Sequence, residues 1–133
     1  MRTGKQLIVV IDDDPSMGQA LRRLLTAAGF RVEVFDSAEA FCASESTEQP
    51  DCLVLDIALP GQDGTELYAR LPAGRRPPAV FISAHDARTS RLRAMDAGAC
   101  AFMAKPFDGT VFLESIAAAI GSVVREAPAG VTR

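Results

Sequence analysis

The stretch Leu7-Ile8-Val9-Val10-Ile11-Asp12-Asp13-Asp14 sets five apolar residues, with no polar alternation, directly before three carboxylates. An apolar run this short, rich in Val and Ile, reads as a strand covered on both faces. Such a strand requires a sheet with helices on either side. The rest of the chain supplies both. Four more short runs follow, at Val32–Phe35, Cys52–Leu55, Ala79–Ile82 and Cys100–Met103, bounded by Asp, Gly and Pro.

Helical patterns lie between them. Met17, Leu21, Leu24 and Ala28 recur at helical spacing, and Gly29 is placed as a C-terminal stop. Ser37 is a cap for Ala38–Ser44, and Asp63 for a short helix through Glu66, Leu67 and Leu71 that Pro72 ends. A fourth helix is expected over Ala87–Ala97, closed by Gly98. A fifth begins after the cap Asp108 and carries Phe112, Ile116, Ala119, Ile120 and Val123 as one apolar stripe. Five strands alternating with five helices predict an α/β fold: a doubly wound, flavodoxin-like five-stranded parallel sheet in the order 2-1-3-4-5.

Composition narrows the setting. At 133 residues and 48% hydrophobic, the chain suits one domain, expected over residues 1–125, with 126–133 a flexible tail or the start of a linker. No apolar run approaches the ~18 residues of a membrane span, and no signal-peptide pattern opens the chain, so a cytoplasmic protein is expected. Cys42, Cys52 and Cys100 form no C-x-x-C and read as buried small hydrophobes. A net charge of −3 without a basic stripe argues against direct nucleic-acid contact by this segment.

In the 2-1-3-4-5 order, the carboxyl ends of the strands bring chemistry to one rim. Strand 1 ends in Asp12-Asp13-Asp14, strand 3 in Asp56, strand 4 in Ser83 and strand 5 in Lys105-Pro106. Strands lie about 4.8 Å apart, so Lys105 sits roughly 10 Å from the strand bearing Asp56, within a lysine's reach. Clustered carboxylates repel unless a proton or cation intervenes. Oxygen-only ligands favour Mg2+ or Mn2+, with Asp12, Asp13 and Asp56 binding directly or through water. Helix capping accounts for one or two of the Asp triplet, but not for Asp56 or Lys105. Metal, ammonium and hydroxyl are groups that stabilise a phosphoryl group in transfer. The chain has no G-x-x-x-x-G-K-[ST] loop to hold ATP, so the donor must be another molecule, with Asp56 as nucleophile.

With these residues in view, the chain resembles the receiver domains of two-component response regulators over roughly Gln6 to Arg125. The matching pieces are Val9-Val10-Ile11-Asp12-Asp13-Asp14, Val54-Leu55-Asp56-Ile57-Ala58-Leu59-Pro60-Gly61 with Asp63-Gly64, Phe81-Ile82-Ser83-Ala84, and Ala97-Gly98-Ala99 leading to Phe102-Met103-Ala104-Lys105-Pro106-Phe107. The resemblance implies that Asp56 takes phosphate from the phosphohistidine of a sensor histidine kinase or phosphotransfer protein, with no separate substrate turnover. It implies Mg2+ held by Asp13, Asp56 and the Ala58 carbonyl, Asp12 acting mainly through water, and a cis Lys105-Pro106 peptide. Lys105, the Ser83 hydroxyl and the Ala84 backbone N–H would meet the phosphoryl oxygens.

The same resemblance makes Ser83 and Phe102 switch residues that alter the surface of helix 4, strand 5 and helix 5. Many relatives carry Tyr at Phe102, a larger polar residue at Ala58 and Met at Leu59. Lys105-Pro106-Phe107 and Phe102 resemble receivers attached to helix-turn-helix transcriptional regulators. A homodimer through helix 4, strand 5 and helix 5 is a further expectation, with Arg88, Arg91, Arg93, Asp96 and Glu114 contributing pairs. His85, beyond Ser83, reads as a solvated loop residue or as one that tunes the phosphate lifetime.

Three rival readings remain. A haloacid-dehalogenase-like phosphatase would use Asp12 as nucleophile and Asp14 as general acid, yet it leaves Asp56 without a role. A flavin module of the same topology would need a phosphate-binding loop where the chain has three carboxylates. A degenerate receiver acting only as an interaction module would not need the full set of Asp12, Asp13, Asp56, Ser83 and Lys105.

Overall fold

In the structure, a computed structural model, residues 5–44, 48–72, 76–84 and 88–132 are described, with side chains as far as residue 121. The elements run β1 (Leu7–Ile11), α1 (Pro15–Ala27), β2 (Arg31–Phe35), α2 (Ala38–Ala43), β3 (Cys52–Asp56), β4 (Ala58–Leu59), β5 (Gln62–Asp63), α3 (Gly64–Arg70), β6 (Ala79–Ser83), α4 (Arg88–Asp96), β7 (Ala101–Ala104) and α5 (Gly109–Thr132). Five strands pair in parallel in the order β2-β1-β3-β6-β7, the topology expected from the sequence.

The unbroken apolar runs are explained by what each face meets. Successive strand residues point to opposite faces. Leu7, Val9, Ile11, Leu53, Leu55 and Phe81 join one buried cluster with Ala38 of α2, Leu67 and Tyr68 of α3, and Ala94 of α4. Ile8, Val10, Val54, Val80 and Ile82 join a second with Leu21 and Leu25 of α1 and Phe112 and Ile116 of α5. Both faces of the central strands are thus covered, and polar side chains enter them only at their carboxyl ends, as Asp56 of β3 and Ser83 of β6. Tyr68, the single tyrosine, stands edge-on to Phe81 with centroids 5.8 Å apart. Its hydroxyl donates to the Pro77 carbonyl at 2.5 Å, and the Arg76 guanidinium lies 5.2 Å from its ring.

The helix starts follow from capping. Asp14 accepts from the Ser16 N–H, with Pro15 opening α1. The Ser37 hydroxyl accepts from Ala40, Asp63 from Thr65, and Asp108 from both Thr110 and Val111. Gly29 and Gly98, at φ 101° and 98°, turn the chain after α1 and α4.

Three features differ from the sequence reading, the first being that Cys42 and Cys100 are exposed where burial is expected, while Cys52 is buried. A two-residue antiparallel pair, β4 with β5, interrupts the path from β3 to α3. Pro60 and Gly61 form its turn, Gly61 taking the φ of 74° that the third position of a type II turn requires. The backbone of α5 continues to Thr132, past residue 125 where the sequence reading separates domain from tail. Extending an established helix needs no new nucleus. The described part of α4 starts at Arg88, so Ala87 and His85 lie outside the described residues.

Gly64 decides where α3 begins. Its N–H donates to the Ile57 carbonyl at 2.8 Å. A Cβ there would collide with the Asp56 carbonyl oxygen and lie 3.2 Å from the Ile57 Cα. Backbone cannot yield as a side-chain end can. Gly64→Ala is therefore expected to destabilise the protein by about 1–3 kcal/mol, read as a lower urea midpoint. An unchanged midpoint would contradict the close approach.

Candidate functional site

Four strand ends deliver the predicted residues to one rim. Asp12 directly follows β1, and its N–H continues the ladder to the Phe35 carbonyl at 3.0 Å. Asp56 is the last residue of β3 and Ser83 the last of β6. All three are buried: Asp12 is 2% exposed, Asp56 4% and Ser83 1%. The register pairs Asp56 with Ile82, so Ser83 stands one residue further toward the rim. Lys105 follows β7, with its N–H on the Ser83 carbonyl at 2.7 Å, and the Lys105-Pro106 peptide is cis.

The Lys105 ammonium crosses β6 to meet both buried carboxylates, 2.9 Å from Asp12 Oδ2 and 2.9 Å from Asp56 Oδ2. The second oxygen of each carboxylate accepts a backbone N–H: Asp14 to Asp12 Oδ1 and Ala58 to Asp56 Oδ1, each at 2.9 Å. Burial pushes the Asp12 carboxyl above its ordinary pKa, and the charge of Asp56 adds to this. The Lys105 and Asp14 hydrogen bonds only partly offset it. For Lys105, burial alone would favour the neutral amine, but the bonds and charges of Asp12 and Asp56 outweigh it and hold the ammonium above its usual pKa.

Asp13 is exposed, yet carboxylate oxygens of Asp12, Asp13 and Asp56 lie within 4.8 Å of one another. Three carboxylates against one ammonium leave two negative charges, which a divalent cation balances. A set of oxygens without thiolate or imidazole fits a hard ion of the Mg2+ kind. Ala58, exposed beside Asp56, presents its backbone to the same rim, and Ala84, also exposed, follows Ser83.

Asp14, a general acid in the phosphatase reading, is occupied as the α1 cap, and Asp108 caps α5. Phe102 packs in the cluster containing Phe81 and Ala94, with the Arg91 guanidinium carbon 5.0 Å from its ring centroid. Sequence reasoning did not anticipate that cation–ring contact, nor the ion pair between Arg93 of α4 and Asp63 of β5. Both arginines, expected to serve a dimer contact, are engaged within their own chain. Spacing carries no signal for either partner: Arg93 and Asp63 are 30 residues apart.

Comparison with known proteins gives a consistent picture. The family model for the response regulator receiver domain matches residues 8–117. The transcriptional regulatory protein FixJ of Bradyrhizobium diazoefficiens is 38% identical over 126 residues, 94% of this chain and 60% of that protein. The transcriptional activator protein IrlR of Burkholderia pseudomallei is 33% identical over 122 residues, 92% of this chain and 52% of its own length. The chain thus spans 52–60% of these two curated relatives. A crystal structure of a response regulator receiver protein from Burkholderia phymatum superposes with a TM-score of 0.78 at 40% identity, covering 88% of this chain and 96% of that one. Among the described residues, no helix is long and apolar enough to cross a membrane.

Two outcomes follow from the electrostatics. Asp12 has a folded pKa above its unfolded one, so the stability it contributes is full below the unfolded value and is lost as pH rises through the folded one. Metal-free wild type should therefore lose stability relative to Asp12→Asn between acid and neutral pH; parallel urea-midpoint curves would contradict this. Divalent cation should restore stability at neutral pH. Mg2+ at tenfold its Kd is expected to add about 1.4 kcal/mol, and Asp13→Ala should remove most of that gain in a thermal melt.

Proposed function

We propose that Asp56 is the phosphoacceptor of this chain, which belongs to the response regulator receiver domain family and is a phosphoryl-accepting signalling switch rather than a turnover enzyme. The observation that carries the assignment is the Lys105 ammonium held 2.9 Å from a buried Asp56 carboxylate beside two further acids. The donor is the phosphohistidine of a sensor histidine kinase or phosphotransfer protein. An Asp56 oxygen attacks phosphorus, the N–P bond breaks, and the departing imidazole nitrogen keeps the electron pair and takes a proton from solvent. Asp12, Asp13, Asp56 and the Ala58 carbonyl would hold Mg2+, which when bound neutralises charge on the transferring phosphoryl group. Lys105 keeps one phosphoryl oxygen, and the Ser83 hydroxyl and Ala84 N–H take others.

The product adds about −1.5 to −2 charge and three acceptor oxygens to this rim. Ser83 turning toward it would free space behind β6, and Phe102 would move with the α4, β7 and α5 surface. Support for mobility there is local: Ala94 is the only buried residue of α4 among those described, while Leu92 and Met95 are 53% and 47% exposed. That surface, with Val111 of α5, suits a second phosphorylated copy. A hydrodynamic size that does not change on phosphorylation would count against dimerisation. The receiver is assigned to residues 1–125, and the chain's resemblance to part of FixJ and IrlR supports an output in transcription control.

Incubation with a small-molecule phosphodonor and Mg2+, followed by intact mass and peptide mapping, should place one phosphoryl group on Asp56. Asp56→Asn should take none. Recovery of the group on another residue would overturn the assignment.

A further inference from the structure

The carboxylate that caps α3 also ties the site to α4. Asp63 Oδ1 accepts the Thr65 N–H at 2.7 Å and the Thr65 hydroxyl at 2.5 Å. Its other oxygen takes the Arg93 guanidinium. Asp63 lies opposite Ala58 in the two-residue β4–β5 pair. Ala58 in turn donates its N–H to Asp56 Oδ1. A hairpin of two-residue strands is marginal by itself and takes its position from what anchors it. Here the anchors are the buried Leu59, the Gly64 N–H on the Ile57 carbonyl, and Arg93.

From this chain of contacts we propose that Arg93 is a positioning residue for phosphoryl transfer. By holding Asp63 it sets the β4–β5 hairpin, and through Ala58 it orients the Asp56 carboxylate and the backbone carbonyl offered to the metal. The coupling runs both ways. Whatever draws the Ala58 backbone toward a cation or phosphoryl group also changes the grip on α4, and whatever shifts α4 changes the hairpin. The inference rests on Asp56 as phosphoacceptor, and it adds a second route to α4 beside that through Ser83 and Phe102.

Arg93 is half exposed, its side chain 50% accessible against 20% for Asp63, so solvent screens the pair and its effect is moderate. The test uses the chain as it stands, with Arg93→Ala, Arg93→Lys, Asp63→Asn and the Arg93→Ala/Asp63→Asn double variant. Asn keeps the oxygen that caps α3. Calorimetric titration with Mg2+, without phosphodonor, should show affinity weakened roughly two- to fivefold in Arg93→Ala, with Arg93→Lys between it and wild type. Labelling of Asp56 by a small phosphodonor should slow in the same order. In the Asp63→Asn background, Arg93→Ala should have no further effect. Unchanged Mg2+ affinity in Arg93→Ala, or an equal loss in both backgrounds, would overturn the proposal. So would a lower thermal midpoint with affinity intact, the mark of a merely structural pair. If wild type itself takes no phosphoryl group on Asp56, the functional assignment fails instead, and the two failures are distinct.

Discussion

One ammonium shared by two buried carboxylates is the constraint on which the site depends. Asp12 and Asp56 lie at the ends of neighbouring strands with almost no solvent to screen them, and Lys105 bridges them across β6. Ionised carboxylates so placed would repel and drive protonation. The bridge holds β7 in register with the centre of the sheet at its polar end, while two apolar layers do so below. Its charge is also insufficient. The remaining negative charge makes the pocket receptive to a divalent cation.

The helices that cover the sheet are anchored unequally. On one side, α1 buries Leu21 and Leu25 and α5 buries Phe112 and Ile116. On the other, α4 buries Ala94 and turns Leu92 and Met95 to solvent. Its polar contacts reach Phe102 through Arg91 and Asp63 through Arg93. An element held by one small residue and two exposed cations has little packing to lose when it moves. That lightly packed helix follows Ser83 in the chain and meets the β4–β5 hairpin through Arg93 and Asp63.

Much of this was legible in the sequence because the relevant signals are local. Five apolar runs gave five strands within a residue or so at each end, and Ser37, Asp63 and Asp108 marked helix starts before any contact was known. The pocket was legible because topology alone brings the strand ends together, so Asp12, Asp13, Asp56 and Lys105 converge without knowledge of side-chain packing. The β4–β5 pair was not legible: two-residue strands have no periodicity, and only Pro60-Gly61 hinted at a turn. Nor were the partners of Arg91 and Arg93, since an exposed arginine reaches several acids or rings and spacing does not select among them. The length of α5 escaped because Gly and Pro near the end argued for a loose tail.

Tyr68 has a practical consequence. The chain contains no tryptophan and one tyrosine. That ring is buried between Phe81 of β6 and the Arg76 guanidinium, with its hydroxyl bonded to the Pro77 carbonyl. Phe81 lies two residues before Ser83 on the same strand. The protein thus carries its own optical probe, a lone phenol fluorophore in contact with the strand that ends at Ser83. Its emission follows that strand's surroundings without any attached dye.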